Sequence, residues 1–462
     1  MKIRKFLSGG AAVAVAVAAS VLSVPLAHAD QTTPGTFNTV TSKRILDTRD
    51  GVGARKAPVA ARSTLTFTAT DADTGLNPAA VVLNVTAVDP KTAGYLTVYA
   101  TGKPQPLASN LNFQPGQNVP NLVITPVGPN GAVSIFNGSD GTVDVLADIH
   151  GYYLGGTNTG EAGTYVPTGS RRFLDTRGGI PGRAPQVRPK AVIKLPIAGR
   201  NGIPADASAV VANITAVQGA GKGFITAFQG DMLPVGDNLT SNVNYKKKED
   251  RANLALIALA GDGSLSLYNG SPTAVDLVVD ITGYYVGGTP SADGSFVPSS
   301  PFRIFDSRPP NGDLAGGNPA GALTTSKIRI FPSGDPTATF FKAVVVNVTA
   351  VGPQASGFLT TWDGVGPLPS VSSSNFRPGD DVAGSVLTPV NPDGTISIYN
   401  GSFGTVHLVV DVTGFVFALP DSGAPASASP VSAEKRIADV LAKMKEFSKH
   451  PASVPVSVTT NK

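Results

Sequence analysis

The chain has 462 residues, with 36 basic and 32 acidic side chains and no cysteine. This composition excludes disulfide staples and thiolate metal sites, and the small charge excess leaves no electrostatic footprint for nucleic acid. Its 52 glycines and 38 prolines, among many Val, Thr and Ala residues, suit strands and turns rather than helices.

Residues 1–29 read as an export signal. Lys2, Arg4 and Lys5 give a basic start, an apolar Ala/Val run continues to Val24, and Ala27-His28-Ala29 fits the small-residue cleavage rule. Glycines, serines and Pro25 interrupt the apolar stretch, which argues against a retained transmembrane anchor. Cleavage after Ala29 would take the formal charge from +4 to +1.

The sequence then repeats itself. Arg44-Ile45-Leu46-Asp47-Thr48-Arg49 returns as Arg172-Phe173-Leu174-Asp175-Thr176-Arg177 and as Arg303-Ile304-Phe305-Asp306-Ser307-Arg308. Each phrase opens a stretch that closes on Asp148-Ile149-His150-Gly151-Tyr152, Asp280-Ile281-Thr282-Gly283-Tyr284 or Asp411-Val412-Thr413-Gly414-Phe415. The period of about 120 residues is domain-sized, so the units are placed at 37–153, 165–285 and 296–417. An aromatic residue, Phe37, Tyr165 or Phe296, stands seven residues before each opening arginine.

Within a unit, Val81-Val82-Leu83-Asn84-Val85-Thr86-Ala87-Val88 alternates apolar with polar, as do Val210 to Val217 and Val344 to Val351. Period two over eight residues predicts a strand with one face on a core. Asn130-Gly131, Asp262-Gly263 and Asp393-Gly394 are hairpin-turn signals, and a second turn follows at Asn137-Gly138, Asn269-Gly270 and Asn400-Gly401. Seven or eight short strands per unit predict an all-β chain of three tandem β-sandwich domains of jelly-roll type. A propeller fits less well, because its blades are only ~40–50 residues long.

The segment 418–462 differs. A Pro/Ser/Ala linker leads to Ser432-Ala433-Glu434, and Ile437, Val440, Leu441, Met444 and Phe447 recur at helical spacing. This predicts a short amphipathic helix that docks on the third unit or grips a partner.

Two sets of side chains present in all units are site candidates. Asp47/Arg49, Asp175/Arg177 and Asp306/Arg308 each share a strand face in the predicted register, and Asp148, Asp280 and Asp411 could join them. A carboxylate and guanidinium among apolar neighbours form a pair that fixes register, so this set reads as a structural polar cluster and not as a metal site. The aromatic set is Tyr95 and Tyr99, Phe224 and Phe228, and Phe358 and Trp362, each pair on one strand face around a threonine. Such a face is either buried packing or a ligand-binding platform for sugar rings. Asn84, Asn213 and Asn347 read as half-buried polar residues pairing across the sheet. Lys246-Lys247-Lys248 reads as a solvated hairpin tip.

No cysteine or G-x-S-x-G elbow offers a nucleophile, and His150 and His407 occupy non-equivalent positions. The expectation is therefore a non-enzyme without a cofactor. Taken together, R-[IFL]-[LF]-D-[TS]-R, N-[VI]-T-A-V, G-[YF]-[LI]-T, S-[IL]-[FY]-N-G and D-[IV]-x-G-[YF] resemble a tandem repeat of secreted actinobacterial proteins. The resemblance covers 37–417 and implies an extracellular β-rich module with no assigned activity. The expected function is surface association or adhesion by multivalent weak binding, with a lectin-like carbohydrate-binding role as the alternative and a hydrolase as the remoter one. The expected partners are cell-wall or extracellular polysaccharide or a surface protein.

Overall fold

The computed structural model describes residues 35–70, 78–155, 163–178, 184–230, 239–288, 296–309, 318–331, 334, 341–417 and 458–460. The expected export signal and C-terminal helix lie outside these residues.

Turn-punctuated alternation gives eight strands among the described residues of the first unit. They are β1 (Gly35–Asp47), β2 (Thr64–Thr68), β3 (Pro78–Val88), β4 (Gly94–Ala100), β5 (Leu111–Phe113), β6 (Val119–Pro126), β7 (Ala132–Asn137) and β8 (Asp144–Gly155). The second unit holds β9 (Tyr165–Asp175), β10 (Val192–Pro196), β11 (Ala209–Val217), β12 (Gly223–Gln229), β13 (Val243–Tyr245), β14 (Arg251–Ala258), β15 (Ser264–Asn269) and β16 (Asp276–Tyr285). The third holds β17 (Phe296–Asp306), β18 (Thr324–Arg329), β19 (Phe341–Val351), β20 (Gly357–Trp362), β21 (Ser374–Phe376), β22 (Val382–Pro389), β23 (Thr395–Asn400) and β24 (His407–Phe417).

In the first unit the antiparallel orders are β6-β3-β8-β1 and β2-β7-β4-β5. Strands one, eight, three and six in one sheet, facing two, seven, four and five in the other, are the pairing of a jelly roll. The second and third units have the same order. Val81, Leu83, Val85 and Ala87 of β3 pack between the sheets with Leu96, Val98 and Ile135, and each of the other units has its own equivalent core.

The opposite face of β3 departs from expectation. Val82, Asn84 and Thr86 are as buried as their neighbours, because the inner sheets of all three units meet back to back. Phe37, Val82 and Tyr153 from the first unit join Tyr165, Val211 and Tyr285 from the second and Phe296, Val345 and Val416 from the third in one central cluster. Strands buried on both faces should read as nearly continuous apolar runs; here polar residues on the second face pair with another unit. Asn84 Nδ2 donates to the Ser241 carbonyl, Asn213 Nδ2 to the Ser372 carbonyl, and Asn347 Nδ2 to the Ser109 carbonyl. The contacts run from one unit to the next around a closed ring, as in a cyclic trimer made from one chain.

β1 and β17 meet at Gly35 and Phe296, joining two inner sheets into one of eight strands. A short strand, β25 (Val458–Thr460), pairs with the edge strand β18 of the third outer sheet.

Candidate functional site

The polar cluster is the same in each unit, but its organising residue is the opening arginine. Arg44 Nε donates to Asp148 Oδ1 at 2.9 Å, and its terminal nitrogens reach Asp148 Oδ2 and Asp47 Oδ2, both at 3.4 Å. Arg172 bridges Asp280 and Asp175 in the same way, and Arg303 bridges Asp411 and Asp306. Asp47 and Arg49 do not share a strand face as the sequence suggested. β1 ends at Asp47, so Arg49 lies in the following turn and folds back, its Nε and Nη2 at 3.0 and 2.7 Å from the carboxylate. Arg177 on Asp175 and Arg308 on Asp306 repeat this fork.

The electrostatics follow from burial. Desolvation pushes the carboxyls of Asp148, Asp280 and Asp411 above the ordinary range, only partly offset by their arginines. Burial acts on Asp47 and Asp306 too, but hydrogen bonds from Arg49 and Arg308 prevail and hold both below it. The cluster also reaches the neighbouring unit. Arg44 Nη2 lies 3.4 Å from the Leu239 carbonyl, Arg172 Nη2 lies 2.7 Å from the Ser370 carbonyl, and the backbone of Ser241 hydrogen-bonds Asp148. These groups are consumed by one another and by the junctions. Among the described residues no group of His, Asp and Glu is arranged to hold a metal ion.

The aromatic candidates divide into two kinds. Leu96 and Val98 of β4 face the sandwich core, so Tyr95, Thr97 and Tyr99 face outward. At one end Tyr95 is half-buried and lies over Gly138, where an added Cβ would come within 2.3 Å of its ring. Phe224 over Gly270 and Phe358 over Gly401 leave similarly little room, at 2.1 and 2.4 Å. This explains the glycine after each turn asparagine: the ring needs its place. Each ring has a cross-strand aromatic partner, Phe136, Tyr268 or Tyr399, at centroid distances of 6.4, 6.3 and 6.2 Å. All six rings are half-buried and stand on the central strands of the outer sheets. The partner rings escaped notice in the sequence, although S-[IL]-[FY]-N-G contains them.

At the other end, Thr97 Oγ1 donates to the Ala108 carbonyl at 2.6 Å, which ties the loop after β4 to the strand. Tyr99 and Phe228 are both 8 % exposed. Trp362 differs: it is half-buried and lines a cavity between the second and third units. Phe224 also borders a cleft of about 510 Å³ at the first and second units, rimmed by Lys222, Lys246, Glu249 and Arg251. Lys246, Lys247 and Lys248 are exposed, with Lys248 at a positive φ of 57°.

His150 is buried, its Nε2 has no partner, and desolvation lowers its pKa to about 4. His407 instead holds Ser307 through Nδ1. The Ser307 hydroxyl, 3.1 Å from that nitrogen, is buried and accepts from Leu408 N.

No protein-family model matches the chain, and no curated protein matches it. Among solved structures, the major capsid protein P2 of bacteriophage PM2 aligns at 10% identity over 55% of this chain and 99% of its own, with a TM-score of 0.15. The broad bean stain virus structure aligns at 12% over 60% and 98%, with a TM-score of 0.16. A triple jelly-roll protein of an archaeal virus aligns at 12% over 83% and 90%, with a TM-score of 0.15. At these scores the likeness carries no argument about what this chain does. The β-sandwich assignment rests on its own strand pairing.

Proposed function

We propose that the chain is an exported, non-catalytic protein that associates with a surface through three weak sites acting together, a tandem-repeat protein of the secreted actinobacterial kind. The observation that supports this most directly is the outward aromatic pair, Tyr95/Phe136, Phe224/Tyr268 and Phe358/Tyr399, present once per unit. The shared central cluster fixes the three pairs relative to one another. Rigid spacing raises the effective concentration of the second and third contacts, and avidity can then exceed a single affinity by about 10²–10⁴. Half-buried rings on the outer sheets, where Lys194 and Lys327 are paired with Asp262 and Asp393, suit a repetitive polysaccharide surface, which favours a lectin-like mode of contact over recognition of a charged protein patch.

The test is retention of the protein on insoluble cell wall, chitin and cellulose. Phe136→Ser, Tyr268→Ser and Tyr399→Ser, made singly and together, should weaken retention stepwise and abolish it in the triple variant, with the fold kept. Retention of the triple variant at the parent level, or failure of the parent to bind any of the three surfaces, would refute the reading.

A further inference from the structure

The three junctions between units are not alike. At two of them an asparagine of the sixth strand closes the contact. Asn253 Nδ2 donates to Asn84 Oδ1 and its own Oδ1 accepts from Leu122 N, at 3.1 and 3.3 Å. Asn121 does the same toward Asn347 Oδ1 and Ser385 N, at 3.1 and 3.2 Å. At the third junction the equivalent residue is Gly384, which can offer neither bond to Asn213 or Leu254. A cavity of about 410 Å³ lies there, between the second and third units.

Other residues that set the third unit apart gather on its walls. Thr361 stands where the other units have Val98 and Ala227, Ser373 where they have Asn110 and Asn242, and Ser385 where they have Leu122 and Leu254. Trp362 replaces Tyr99 and Phe228. Buried hydrogen-bonding atoms on two of these walls, Trp362 Nε1 and Thr361 Oγ1, have no partner. A buried polar atom left unpaired is a standing cost that a ligand can relieve. The volume falls within the range of about 300–1,000 Å³ typical of small-ligand sites.

We infer that this cavity binds a small neutral saccharide of one or two rings. An indole set among threonine, serine and Asn213 side chains offers both an apolar wall and paired donors and acceptors, the combination a polyhydroxylated ring requires. Among the described residues Asp363 is the one charged residue on the walls, and its carboxylate disfavours an anion. Thr361, Trp362 and Gly384 are particular to the third unit, so the site belongs to this junction and is separate from the outward aromatic pairs.

Trp362 is the chain's single tryptophan and reports on the cavity directly. The experiment titrates the full chain with glucose, galactose, mannose, N-acetylglucosamine, cellobiose and chitobiose, following tryptophan emission and melting temperature. At least one sugar should give a saturable emission change and a higher melting temperature. Gly384→Asn should rebuild the closing asparagine: an added Cβ meets Ser374 Cβ at 3.3 Å and the Ser373 carbonyl at 3.5 Å, so the side chain fits after a small shift. That variant should bind about tenfold or more weakly while melting no lower than the parent. The triple outer-ring variant should keep the full response. No saturable change with any sugar, equal binding by Gly384→Asn, or loss of the response in the outer-ring variant would each overturn the assignment, the last by moving the sugar to the outer face.

Discussion

The ring of Tyr153, at the end of the first unit, stacks on Phe296, at the start of the third, with centroids 4.2 Å apart. The Tyr153 hydroxyl meets that of Tyr285 at 2.5 Å, so closing strands of two units and an opening strand of the third converge on one point. The third closing strand brings Val416 where the others bring tyrosine. In this apolar cluster Tyr153 and Tyr285 satisfy each other and Tyr165 donates to the Thr282 carbonyl; a further hydroxyl would be left over. Val416→Tyr, which would make the repeats more alike, is therefore expected to destabilise the chain by about 1–3 kcal/mol through overpacking and an unpaired hydroxyl. Chemical denaturation measures it, and an unchanged midpoint would contradict the packing described.

Arg44 holds two buried carboxylates, and its removal should be severe. Arg44→Met leaves Asp148 and Asp47 without their shared cation, at a cost of about 3–5 kcal/mol. Burial already raises the Asp148 carboxyl, and without Arg44 it rises further. A raised carboxyl favours the folded state below its pKa and loses that advantage as pH rises through it. The gap in melting temperature between parent and variant should thus be widest at neutral pH and narrow on acidification. A gap that stays constant from pH 7 to 4 would show that Asp148 is not the group affected.

The arginine's role shows which parts of this molecule were legible in the sequence. Strand alternation and the turn dipeptides gave the sandwich, since both act over a few residues. The pairing of Arg44 with Asp148 spans 104 residues, and nothing local announces it, although the repeats kept both residues. The aromatic residue seven positions before the arginine was visible only as a regularity. Its reason is spatial: Phe37, Tyr165 and Phe296 lie against Gly151, Gly283 and Gly414, where a Cβ would come within 2.4, 2.3 and 2.5 Å of the ring. Asn84 was read as pairing within its own sheet because the alternation cannot distinguish solvent from another unit.

His150 stands where the other units have Thr282 and Thr413, and it should be responsible for much of the chain's acid sensitivity. The unfolded imidazole takes up a proton below its ordinary pKa of 6.5, whereas the folded one resists until about 4. Stability is accordingly lost as pH falls from 6.5 to 4, by about 3 kcal/mol in all. The lowered carboxyls of Asp47 and Asp306 act in a more acidic window. His150→Thr should flatten the stability profile between pH 6.5 and 4, as read from denaturation midpoints; a profile of unchanged slope would place the acid sensitivity elsewhere.

The central claim is that three jelly rolls, each with its own core, complete one another through a common apolar face. The most direct test is the mass in solution of residues 165–285 alone, measured by size-exclusion chromatography with light scattering. The unit retains its own core, so it should fold, but Tyr165, Val211, Leu256 and Tyr285 would lose their cover. The account predicts a folded species that self-associates, with a closed trimer favoured because this unit carries both sides of a junction: Asn213 on one, and the Ser241 carbonyl and Asn253 on the other. A folded monomer that stays soluble at high concentration and binds no hydrophobic dye would contradict it.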